Sequence, residues 1–136
     1  MGKMAFNDKI SKALASALYH ADKSISALKS GDEKAFSNDL WHVAAELEYA
    51  LFLFSLTLKN ERNVQMSKPN PNPKDLQTDY IMLKVKELVE EAQSLLKSGD
   101  LQNAHKNAYQ ARHYIFNLQE NMDKEKRGAR RKDKAD

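Results

Sequence analysis

The four histidines, His20, His42, His105 and His113, have the widest chemical repertoire in this chain, and their spacing narrows it at once. No two stand four residues apart, the spacing that presents two metal ligands from one helix face. Asp39-Leu-Trp-His42 has the carboxylate-x-x-His spacing of dimetal helical bundles. Sixty-eight residues further on, the matching positions hold Asn107-Ala-Tyr-Gln110, which supply neither ligand. Cysteine is absent, so there is no thiolate metal site and no thiol nucleophile. Gly-rich phosphate loops and zinc spacings are absent too. No catalytic, cofactor-binding or metal-ligating residue is assigned, no cofactor is expected, and the chain is expected not to be an enzyme.

Two groups remain that could touch a ligand or a partner. His105, Tyr109, Arg112 and Phe116 recur at gaps of four, three and four, so on a helix they share one flank. Such a strip could stack on a nucleotide and pair with its phosphates, or meet a partner helix. Equally, aromatics at this spacing pack at a helix boundary while their polar ends reach water. Near the C-terminus, Arg127, Arg130, Arg131 and Lys132 could contact nucleic-acid phosphates with salt-sensitive affinity. The chain carries 22 Lys and Arg against 19 Asp and Glu, and from Asp123 onward the count is seven against four. The whole net charge of +3 therefore sits in that end, and residues 1–122 are neutral.

The elements that must position these residues are helices. Glycine occurs only at Gly2, Gly31, Gly99 and Gly128, and proline only at Pro69, Pro71 and Pro73, which leaves long unbroken windows. A first helix is expected after an Asn7-Asp8 cap, with Ile10, Leu14, Ala17, Leu18, Ala21, Ile25 and Leu28 along one stripe. Ser30-Gly31-Asp32 ends it and caps a second helix, expected from about Glu33 to about Gln65. Lys68-Pro-Asn-Pro-Asn-Pro-Lys-Asp75 cannot continue a helix. A third helix, starting near Asp75 or Thr78, carries Ile81, Val85, Leu88, Ala92 and Leu95. Lys97-Ser-Gly-Asp100 ends it and caps a fourth, with Ala104, Ala108, Ala111, Ile115, Leu118 and Met122 as its stripe. After Lys124 the periodicity stops, and a flexible, basic end is expected.

The spacing thus predicts an all-α, antiparallel four-helix bundle made of two hairpins, residues 5–66 and 76–123, joined by a linker at 67–75 and followed by a tail at 124–136. The hairpins echo each other: Leu28-Lys-Ser-Gly-Asp32 recurs as Leu96-Lys-Ser-Gly-Asp100, and at that offset of 68 the stripes of the second and fourth helices superpose. This pattern is either an internal duplication or the shared chemistry of two tight turns. The Leu-x-x-Gly-Asp turn followed by spaced alanines resembles tetratricopeptide hairpins, and about equally the small helical domains called HEPN. The HEPN ribonuclease signature, Arg followed four to six residues later by His, has no counterpart, since Arg112 is followed at once by His113. No site residue is carried over from either.

The most apolar stretch, Leu40–Leu58, has a surplus. The second helix's main stripe of Phe36, Leu40, Val43, Leu47, Ala50 or Leu51, Phe54 and Leu58 accounts for one side. Trp41, Ala45, Phe52 and Leu56 fall on nearly the opposite side, with Glu48 and Tyr49 between them. Either the linker or an end segment covers this second stripe, or it is an interface, most economically of a two-fold dimer. No apolar run approaches the ~18 residues of a membrane span, and a cytoplasmic setting without membrane contact is expected. The sequence reading is therefore a non-enzymatic helical interaction or scaffold protein, self-associating or binding a helical partner through Trp41, Ala45, Tyr49, Phe52 and Leu56. The alternative is a nucleic-acid accessory protein using its basic tail.

Overall fold

The computed structural model describes residues 2–58 and 77–135, with side chains described for 6–58, 77–126 and Gly128. Four helices make it up: α1 (Gly2–Ser30), α2 (Glu33–Thr57), α3 (Thr78–Lys97) and α4 (Leu101–Ala135). Among the described residues there is no strand, and no helix is long and apolar enough to cross a membrane.

Two nearly identical turns close the hairpins. Gly31 and Gly99 adopt φ of 75° and 88°, the left-handed region that a Cβ disfavours. At the first turn Gly31 N–H donates to Leu28 O and Asp32 N–H to Ala27 O; at the second Gly99 N–H donates to Leu96 O and Asp100 N–H to Leu95 O. This is the paired bonding of a Schellman ending, which satisfies carbonyls the helix leaves open. The aspartate that follows each turn caps the next helix: Asp32 accepts from Ala35 N–H at 3.1 Å and Asp100 from Asn103 N–H at 3.2 Å.

α1 packs on α2, α3 on α4, α1 on α3 and α2 on α4, so the four helices form a ring. Glu48 reaches Arg112, and the Phe54 ring lies against His105, so α2 and α4 run in opposite directions. Thr78, at the start of α3, lines the same groove as Leu28, Glu33 and Phe36. Hence α2 and α3 start at the same end, and Leu58 and Gln77 lie towards opposite ends of the bundle. The expected linker at 67–75 lies outside the described residues.

The core follows the stripes. On α2, Phe36, Leu40, Val43, Leu47, Ala50 and Phe54 are buried; on α4, Ala104, Ala108, Ala111, Ile115 and Leu118 are buried and Met122 partly so. The alanines let α4 approach its neighbours closely. The offset of 68 extends to α1 and α3, where Ala13, Leu14, Ala17, Ala21 and Ser24 are buried as are Ile81, Met82, Val85, Val89 and Ala92.

Two boundaries differ from those expected. α1 begins at Gly2, so Asn7 and Asp8 lie inside it rather than capping it; Phe6 packs on the core and extends the stripe N-terminally. α2 ends at Thr57 rather than near Gln65. Ser55 and Thr57 turn their hydroxyls back to the Phe52 and Leu53 carbonyls, a competition that weakens a helix end. The backbone of α4 is described to Ala135; of the basic tail expected at 124–136, the side chains of 127 and 129–136 lie outside the described residues. Lys, Glu, Arg and Ala, which dominate this segment, are strong helix formers. Residues 123–126 and 128 are all exposed.

Candidate interaction surface

The outward side of α2 is where the surplus of apolar residues lies. Trp41 is 66% exposed, Phe52 59%, Tyr49 46% and Leu56 39%, and Ala45 is exposed between them. All five of these residues therefore share one uncovered face among the described residues, opposite Leu40, Val43, Leu47 and Phe54 in the core. At 100° per residue they fan over less than a quarter of the helix circumference.

α4 supplies one rim of this face. Arg112 pairs with Glu48 and lies over the Tyr109 ring, 5.6 Å from its centroid. Phe116 is 53% exposed and, with Trp41, Leu40 and Met122, lines a groove of about 350 Å³ between α2 and α4. His105 behaves differently from its neighbours on the strip. Its ring stacks on Phe54 at 5.2 Å, its Nδ1 has no hydrogen-bond partner, and desolvation holds its pKa below the ordinary histidine value. The four residues of the expected α4 strip thus have two roles. His105 is packing at a helix boundary, while Tyr109, Arg112 and Phe116 border the exposed face. The Arg112 charge is engaged by Glu48, and its Nε is buried without a partner.

α1 supplies the other rim, which the sequence did not point to. Tyr19, His20, His42 and Trp41 form a continuous run of ring contacts from α1 to α2, with centroid separations of 5.2, 4.6 and 6.5 Å. Asp39, buried between the helices, anchors this run by accepting from His20 Nδ1 at 3.3 Å and facing Lys23 Nζ at 3.9 Å. With Phe116 beyond the groove, exposed rings cross α1, α2 and α4 in one band. Residues from different helices show no joint periodicity, so the α2 and α4 members stood out only as separate stripes and the α1 members not at all.

The Asp39–His42 spacing does not form a metal pair. Asp39 turns towards α1, and the two histidine rings lie face to face at 16°, so their in-plane lone pairs do not converge on one point. Among the described residues no group of three His, Asp or Glu could hold a metal ion. The side chains of Arg127, Arg130, Arg131 and Lys132 lie outside the described residues; the backbone that carries them is the last part of α4. Compared with known proteins, the chain matches no family model, no curated protein and no solved structure.

Proposed function

We propose that this protein is a non-enzymatic helical interaction protein that self-associates through the outward face of α2, bordered by α1 and α4. The observation that carries the reading is the joint exposure of Trp41 and Phe52 on one face, with Tyr49 and Leu56 beside them. A small monomer's exposed apolar residues are ordinarily scattered, and a contiguous aromatic patch marks a surface that meets something. Aromatics are also the residue types that concentrate binding energy at interface centres. The surrounding chemistry suits a protein partner, since Glu48 and Arg112 neutralise each other within the face.

Trp41 is the only tryptophan, so its fluorescence reports on this face alone. Raising the protein concentration from nanomolar to tens of micromolar is expected to shift its emission to the blue and protect it from acrylamide. Emission that stays red and fully quenchable throughout refutes self-association at this surface. The nucleic-acid alternative rests on the composition of the last 14 residues. Its own test is salt-sensitive binding to DNA or RNA that truncation after Asp123 removes.

A further inference from the structure

We infer that the partner copy docks antiparallel, α2 against α2, about a two-fold axis passing between Glu48 and Tyr49; this rests on the self-association proposed above. The exposed residues of α2 are symmetric in spacing about that point. Trp41 and Leu56 lie equally far from it, and so do Ala45 and Phe52. In an antiparallel two-fold contact each residue meets the one equally far on the other side, so Trp41 faces the second copy's Leu56 and Ala45 faces its Phe52. The sizes then alternate as a packed seam requires, with the large Phe52 ring entering the space left by the methyl of Ala45. Successive gaps of four, three, four and four along Trp41, Ala45, Glu48, Phe52 and Leu56 keep these residues on one seam along the helix, as packing against a second helix requires.

Charge and area agree with this occupant. Glu48 lies nearest the axis, where two copies of an unpaired carboxylate would repel; Arg112 of the same chain neutralises each one. Trp41, Tyr49, Phe52 and Phe116 are each about half to two-thirds exposed. An aromatic side chain covers ~150–250 Å², so together they offer on the order of 400–500 Å² of apolar surface per copy, over half of the ~800 Å² a stable dimer buries on each side. Polar flanks on α1 and α4 supply the rest.

A size-swap series measured by sedimentation equilibrium tests the register. Ala45→Phe adds apolar surface, which would strengthen a merely sticky patch, yet against Phe52 of a second copy it is expected to weaken dimerisation by at least about tenfold. Phe52→Ala is expected to weaken it comparably, and the combined Ala45→Phe, Phe52→Ala chain to recover most of the wild-type affinity. Both positions are exposed, so circular dichroism should show unchanged helicity in all three. Because the chain has no cysteine, spin labels at Ser55→Cys and Lys34→Cys give an independent reading. The two-fold places the first pair about 20 Å apart and the second about 45 Å apart, at 1.5 Å per residue. If Phe52→Ala weakens the dimer but the swap fails to restore it, or the two label distances are equal, the antiparallel register is overturned while the face stands. If Phe52→Ala leaves the dimer intact, or the wild type never dimerises, the proposed function falls as well.

Discussion

The Arg112 guanidinium donates to the Glu48 carboxylate across the gap between α4 and α2, joining residues 64 apart in the chain at the edge of the aromatic face. It is a surface pair, with side chains 34% and 59% exposed, so water screens much of its attraction. Its role is to leave the face electrically neutral rather than to hold the fold.

A double-mutant cycle with Glu48→Ala and Arg112→Ala should therefore return a coupling of no more than about 1 kcal/mol at 0.1 M salt, and less at 1 M. Arg112→Ala alone should cost more than Glu48→Ala alone, because the guanidinium also lies over the Tyr109 ring. Chemical denaturation of the four chains checks both statements.

How much of this was legible beforehand differs by residue. Gly31 and Gly99 announced the two turns, because a left-handed ending has few alternatives. Leu40, Val43 and Leu47 announced the core, and Trp41 and Phe52 the opposite side of the same helix, because one helix carries its own periodicity. Tyr114, wholly buried on α4, lay beside the expected stripe and was missed; its burial raises the phenol pKa. The contacts of Tyr19 with His20, His42 and Trp41, and of Phe116 with the α2 groove, depend on how separate helices are laid side by side. That arrangement leaves no trace in the spacing of any one of them.

The turns make a paired prediction. A Cβ added at Gly31 or Gly99 meets nothing within 4 Å, so the cost of alanine there is conformational alone. Gly31→Ala and Gly99→Ala should each destabilise by about 1 kcal/mol. Because the two turns bond alike, the costs should agree to within about 0.5 kcal/mol. Urea unfolding midpoints compare them directly.

His105 makes stability depend on pH. Burial holds its folded-state pKa below the ~6.5 of an unfolded chain, so the unfolded state binds the proton first as pH falls. The stabilisation by neutral His105 is full above about pH 6.5, declines below it, and levels off once pH is below the folded-state value. His105→Phe keeps a ring against Phe54 and removes the titration. Its melting temperature should fall less than that of the wild type between pH 7.5 and pH 5, as followed by circular dichroism.

The core of α4 should resist enlargement. Ala108 is completely buried in the bundle, so Ala108→Leu forces neighbours off their packing and should cost about 1–3 kcal/mol. Thermal melts of this chain beside Ala45→Leu, on the exposed face of α2, should show the loss only in the first when both are measured below the concentration at which they associate.

Multi-angle light scattering of the wild type beside Phe52→Asp tests the central claim most directly. A charge in the middle of an apolar contact is strongly unfavourable, whereas on an exposed helix position it leaves the fold intact. The wild type is expected to have twice the mass of the 15.5 kDa chain at micromolar concentration, and the variant the mass of one folded chain. A wild type that has the mass of a single chain, or a variant that remains a dimer, contradicts the account.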